Sequence, residues 1–205
     1  KTLKKDKNLE SNKKTIIYAP HFAYAKDSIL KIGTFNKTGE AILEFAKQHQ
    51  EFNWVFSLHP RLLYTLTNDK NYGESFTNEY FSAWKKIGTI SSQGDYFKTF
   101  INSDLLITDA SSFLLEYLPT KNPIIRLENN YSIGLSPFGK KVICGAYRIN
   151  DFENFKIQFS KLLNNEDKLK NKRLRLINDL NLEDYNSSQK IITILESKIR
   201  GEHDA

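Results

Sequence analysis

Methionine is missing from all 205 residues, position 1 included, which points to an excised piece of a longer product. A single cysteine, Cys144, excludes an internal disulfide and leaves no CxxC or zinc-ribbon ligand set. No apolar run approaches the roughly 18–20 residues that a membrane span needs, and no signal-peptide h-region opens the chain. The patterns GxGxxG, GxxxxGK-S/T and GxSxG are all lacking. The dinucleotide fingerprint, the P-loop and the hydrolase nucleophile elbow therefore lose their main support. No internal repeat is visible. The simplest compartment for such a chain is the cytoplasm.

What remains is enough for one globular unit. Hydrophobic residues make up 40% and charged residues 26%, so a real core is available and general disorder is excluded. A length of 205 residues suits one α/β domain better than two. The formal charge is +6, but residues 1–14 (KTLKKDKNLESNKK) hold six Lys against Asp6 and Glu10. That stretch alone carries +4 and leaves only +2 for the rest. It has no apolar periodicity and reads as a basic, flexible lead-in to a single domain over residues 15–205. Lys outnumbers Arg 24 to 6, whereas base and phosphate readout favours the Arg fork. Nucleic acid is therefore not an expected partner.

Along the chain, short β-branched and aromatic runs alternate with helical patterns. Strands are predicted at TIIYA (Thr15–Ala19), FNWVFSL (52–58), DLLIT (104–108) and PIIRL (123–127), with a short segment near residues 89–90. Helices are predicted over 40–48, 79–86, 95–101 (Asp95 in the acidic first turn) and 111–118, the last capped by Asp109 or Ser111. GTFNKTG (33–39), residues 70–75 and residues 128–145 read as loops. A helix over 151–163 sits behind an Asp151 cap, and helices over 165–180 and 183–199 form a helical tail. The alternation predicts a Rossmann-like α/β domain, a parallel sheet with helices on both faces. In such sheets ligands bind at the carboxyl ends of the strands.

That rule selects the candidate residues. DLLIT delivers Thr108 and Asp109 to the carboxyl edge, where Ser111 and Ser112 open a helix whose free N–H groups favour an anion. Glu116 shares a helix face with Ser112 and could accept from ribose hydroxyls; an ordinary capped, solvated helix start would look the same. His59 follows the second strand in HPRL, held extended by Pro60, with the reach and pKa for base work or phosphate contact. Arg61 could clamp a diphosphate. His21 follows the first strand in YAPHF. Two imidazoles lack the third ligand that a zinc site needs, so no metal is assigned. His49 and His203 read as bland, and Cys144 in VICGAY as a buried filler. The 13% aromatic content is interleaved with apolar residues and belongs to the core.

Taken together, YAPHFAY, GTFNKTG, WVFSLHPRL and SDLLITDASSFLLEYLPTKNPII resemble the nucleotide-binding half of the CDP-glycerol glycerophosphotransferase family. These are the bacterial teichoic-acid and capsule-polymer transferases of cell-envelope biosynthesis, with a GT-B architecture of two facing Rossmann-like domains. The resemblance spans about residues 15–130 and implies a C-terminal-type donor domain. It assigns His59 to the catalytic histidine of the HP pair. Asp109, Ser111 and Ser112 then line the donor phosphates, and Glu116 takes the acidic position after them. His21 stands where many members carry Thr and a basic residue, which leaves the donor open. The His-Gly-Thr segment and acceptor domain usual upstream are not in this sequence, so the fragment alone should be inactive.

The implied activity is transfer of glycerol phosphate, or a similar alditol phosphate, from a CDP-activated donor to a teichoic acid or cell-surface polysaccharide. No cofactor is required, although Mg²⁺ could accompany the diphosphate. The acceptor would be met through the missing domain, and the basic lead-in leaves peripheral contact with the inner face of the membrane open. Two alternatives stay in play: a GT-B glycosyltransferase using a nucleotide sugar, and a binding or docking module without chemistry.

Overall fold

The computed structural model describes residues 13–200, apart from 25–27, 29, 92–95, 132–133 and 184–185. Most of the basic lead-in, Asp95 and His203 lie outside the described residues.

Among the described residues six strands form one parallel sheet: β1 (Thr15–Ala19), β2 (Asn53–Ser57), β3 (Gly88–Ser91), β4 (Leu105–Thr108), β5 (Ile124–Leu127) and β6 (Tyr147–Ile149). Their order is β3-β2-β1-β4-β5-β6, the doubly wound arrangement whose direction reverses between β1 and β4. Ile17 pairs with Val55 of β2 on one side and with Leu106 of β4 on the other. Burial on both faces explains why the central strands are continuous apolar runs rather than alternating ones. Ile16 and Tyr18 face one layer, Ile17 and Ala19 the other.

The first layer holds α1 (Phe35–Gln48), α2 (Pro60–Asn68), α3 (Gly73–Ile87) and α7 (Phe152–Leu163). Its centre is aromatic. Trp84 stacks on Phe56 with ring centroids 5.1 Å apart, and Trp54 stacks on Phe159 at 5.9 Å. Each buried Trp stabilises the fold by about 3–5 kcal/mol relative to Ala. The second layer holds α4 (Tyr96–Asn102), α5 (Ser111–Tyr117), α6 (Pro137–Val142) and α8 (Lys170–Asp179). Fully buried Arg173 ties α8 down, pairing with Asp167 and donating to the Lys121 and Gly145 carbonyls. The last helix, α9 (Ser187–Ile199), leaves Ile191, Ile192, Ile194 and Leu195 about half exposed. Among the described residues no helix is long and apolar enough to cross a membrane.

The fold departs from the sequence reading at several elements. GTFNKTG is not all loop: α1 begins at Phe35, because the Thr34 carbonyl accepts from the Lys37 and Thr38 amides. The HPRL segment opens α2, with Pro60 at the first helical position, where its missing N–H costs nothing. Residues 128–145 contain α6, capped by Ser136 Oγ accepting from the Gly139 amide, and β6 follows them. Cys144 is exposed rather than buried, since the 3-10 turn Ile143–Gly145 buries its two flanking residues instead.

Candidate functional site at the carboxyl edge

Asp109 organises the edge where the sheet reverses. Its carboxylate is fully buried, and Oδ1 accepts from the His21 amide at 2.6 Å. Oδ2 accepts from the Thr34 amide at 2.6 Å and from Thr34 Oγ1 at 2.9 Å. Asp109 therefore does not cap α5; the cap position belongs to Ala110, which makes no side-chain bond, and Ser111 is the first helical residue. Burial raises the carboxyl from 3.8 to about 6, opposed by bonds from His21 and Thr34. The residue is a structural staple that fixes the loop after β1 and the start of α1 to the end of β4.

Gly33 allows that loop to fold so tightly. Its amide donates to the Ala23 carbonyl at 2.9 Å, and a Cβ there would meet the His21 oxygen at 2.8 Å. Asn129, just after β5, closes the loop from the other side by donating to the Gly33 carbonyl at 2.8 Å.

The staple presents His21 to His59. Their ring centroids lie 5.1 Å apart. Phe22 touches both, at 4.5 Å from each, and the Arg61 guanidinium sits over the Phe22 ring at 4.6 Å. His59 is the residue before Pro60, extended at φ −66° and ψ 131°, and it caps α2 by accepting the Arg61 amide on Nδ1 at 3.1 Å. His21 Nδ1 likewise accepts the Ala23 amide at 3.0 Å. An amide N–H can only donate, so both Nδ1 atoms carry lone pairs and both neutral rings carry their proton on Nε2. Charging either ring would set two N–H groups against each other. In agreement, burial and then the neighbouring His59 lower His21 to about 4, and burial and then Arg61 lower His59.

Ser111, Ser112 and Glu116 line a second feature, a cavity of about 320 Å³ between α5 and α6. Ser112 is exposed and Ser111 partly so, while Leu114, Leu115, Phe138 and Val142 make the remaining wall largely apolar. Glu116 neighbours the Tyr96 hydroxyl, and among the described residues its buried Oε2 has no hydrogen-bond partner. A carboxylate oxygen held that way is poised to accept from a ligand hydroxyl. Thus the candidates fall into two groups, the His21–His59–Arg61 cluster and the Ser111–Ser112–Glu116 cavity. Asp109 links them by holding the His21 amide from the strand that leads into α5. Sequence reasoning missed Thr34, Phe22 and Asn129; the carboxyl-end rule that selected His21 applies equally to Asn129.

This topology, with a polar cluster at the switch point, defines a Rossmann-like α/β domain. The comparisons place it more narrowly. A family model described as CDP-glycerol:poly(glycerophosphate) glycerophosphotransferase matches residues 1–196, and the chain belongs to that family of transferases. Among solved structures, the wall teichoic acid polymerase TagF is similar at TM-score 0.56 and 19% identity, over 96% of this chain and 46% of TagF. UDP-GlcNAc 2-epimerase from Neisseria meningitidis, solved with UDP-GlcNAc bound, is similar at TM-score 0.51 and 16% identity, over 80% of this chain and 40% of the epimerase. These likenesses show the fold, and the chain spans less than half the length of either protein. Among curated proteins none matches.

Proposed function

We propose that this chain is the donor-binding half of a transferase that moves glycerol phosphate, or a similar alditol phosphate, from a CDP-activated donor to a teichoic acid or cell-surface polysaccharide. One observation carries the reading beyond family membership: two neutral imidazoles whose Nδ1 atoms are committed to backbone amides stand with a guanidinium beside the switch point. Each ring then has a single N–H, on Nε2, to offer an anion.

In the proposed reaction an acceptor hydroxyl oxygen bonds to the distal phosphorus, and the bond from that phosphorus to the bridging oxygen breaks, releasing CMP. Negative charge grows on the leaving phosphate. His59 Nε2–H and the Arg61 guanidinium would donate to it, which makes His59 a charge stabiliser rather than a base. The acceptor's proton leaves to solvent or to a group of the acceptor-binding half. Ser111 and Ser112 would hold the diphosphate, and Glu116 Oε2 the ribose hydroxyls. Mg²⁺ enters only as a counter-ion to the diphosphate, and no step needs it. An inner-face location with peripheral membrane contact through the basic lead-in completes the reading.

Calorimetric titration of the chain with CDP-glycerol, UDP-GlcNAc and a CMP-sugar tests it. Preference for CDP-glycerol, weakened by Glu116→Gln, is expected. Preference for a nucleotide sugar would install the glycosyltransferase instead. No binding of any of the three would leave a docking module.

A further inference from the structure

Beyond the donor pocket, a larger cavity of about 860 Å³ opens on the far side of α6, against β6 and the start of α8. Its charge is lopsided. Arg126, Lys140, Arg148, Lys168 and Lys172 line it, with Glu128 as the one carboxylate. Four of the cations are exposed, and alone they would be an ordinary solvated face. Arg126 is different.

The Arg126 side chain, on β5, is only 4% exposed, and among the described residues its Nε and Nη1 have no hydrogen-bond partner. The carboxylate beside it is already engaged. Glu128 Oε1 accepts from Arg148 Nε at 2.9 Å and pairs with Arg126 Nε as an ion pair at 3.7 Å, beyond hydrogen-bond reach. Burial lowers the Arg126 pKa and Arg148 adds to that, while Glu128 and Asp109 oppose it; a guanidinium stays charged at neutral pH regardless. A buried cation with unmet donors is costly, and native structures normally satisfy it with a group of opposite charge. Arg126 lines the cationic cavity, and its guanidinium matches a phosphate, whose oxygens accept charge-assisted hydrogen bonds.

We propose that this cavity is an anion site that takes a phosphate group of a phosphomonoester or phosphodiester, seated on Arg126 and ringed by Lys140, Lys168 and Lys172. It lies across α6 from the proposed donor cavity, between α6, β6 and α8, and the two share Leu135 in their walls. Its volume admits more than one phosphate unit of a chain.

The test measures thermal stability and chemical shifts of the arginine Nε–H groups in the full chain at constant ionic strength. Glycerol 3-phosphate, a short glycerol phosphodiester oligomer and inorganic phosphate are titrated separately, each without and with saturating CDP. We expect a saturable shift of the Arg126 Nε–H and a rise in melting temperature, with a Kd of about 1 mM or tighter for the preferred probe. Whichever of the three binds most tightly identifies the source of the phosphate. Arg126→Met should weaken binding at least ~10-fold, the usual worth of a charged hydrogen bond, without lowering the stability of the unliganded protein. Should that variant misfold, Lys168→Glu with Lys172→Glu, both exposed, should weaken binding by a similar factor. No saturable response, a response that survives these substitutions, or one abolished by CDP would overturn the proposal.

Discussion

Asp109 and Thr34 stand 75 residues apart in sequence and share two hydrogen bonds, one from the Thr34 amide at 2.6 Å and one from its hydroxyl at 2.9 Å. With the His21 amide on the other carboxylate oxygen, three donors from the β1 side of the switch point converge on one buried side chain from the β4 side. The geometry of the imidazole cluster depends on that convergence, because His21 is placed by its own backbone bond to Asp109. Asp109→Asn keeps the shape but offers an NH₂ where one oxygen accepted, setting donor against donor. We expect a loss of about 1–3 kcal/mol in urea unfolding, and weaker nucleotide binding. Thr34→Val keeps the amide bond and should cost only about 1 kcal/mol. Equal stabilities for Asp109→Asn and the parent chain would show that the staple does not hold the loop.

Two residues of the edge, His21 and Asp109, set opposing pH dependences. His21 falls from 6.5 to about 4 on folding, so the folded chain binds its proton less readily than the unfolded one. Its contribution to stability is complete above pH 6.5 and is lost as the pH falls through about 4. Asp109 rises from 3.8 to about 6, and its contribution is complete below pH 3.8 and lost as the pH climbs through about 6. His21→Gln should therefore flatten the acid side of the stability profile, while Asp109→Asn should remove the decline between pH 3.8 and about 6. Urea midpoints between roughly pH 3.5 and 7.5 check this. An unaltered acid slope in His21→Gln would contradict the assignment.

Gly33 offers a sharper probe of the loop. An added Cβ would lie 2.8 Å from the His21 oxygen, 2.9 Å from the Ala23 carbonyl carbon and 2.9 Å from the Tyr24 nitrogen, all of them backbone atoms. Gly33→Ala should lower stability by about 1–3 kcal/mol, as overpacking does. It should also displace the His21 ring from Phe22 and His59. Histidine ring resonances compared between the two proteins would detect the displacement.

His59 carries two separable roles. Its Nδ1 caps α2, and we propose that its Nε2–H serves the transfer. Asn at an N-cap position accepts the same kind of amide bond, so His59→Asn should keep the stability of α2. In the intact enzyme it should lose at least ~100-fold in turnover, as His59→Ala should, the usual scale for a group that stabilises charge or shuttles a proton. Near-normal turnover in both variants would remove His59 from the mechanism.

How much of this was legible in the sequence depends on the range of the interactions. The strands TIIYA and DLLIT were readable because burial on both faces demands unbroken apolar runs, and with them the carboxyl edge and its histidines. The Asp151 cap of α7 was readable because the bond to the Asn154 amide, 2.8 Å long, spans three residues. Asp109 was read in the same local terms, as a cap or a phosphate ligand. Its actual partners lie 75 and 88 residues away, and no local pattern announces them. The start of α1 at Phe35 was hidden by Gly39, which in isolation signals a turn. Here it lets the Phe35 ring pack within 2.9 Å of where a Cβ would sit, and it bonds the Tyr80 hydroxyl through its carbonyl at 3.0 Å. Cys144 was misjudged because its apolar neighbours bury themselves and turn it outward. Arg126 looked like one more charged residue in PIIRL, and only the structure shows its donors buried.

The central claim is that the paired imidazoles are neutral hydrogen-bond donors to a pyrophosphate. Nitrogen-15 spectroscopy of the histidine rings, with and without bound CDP-glycerol, tests it most directly. We predict that His21 and His59 show protonated Nε2 and unprotonated Nδ1 at neutral pH, and that both Nε2–H signals move on binding. Rings protonated at Nδ1, or Nε2–H signals indifferent to saturating CDP-glycerol, would contradict it.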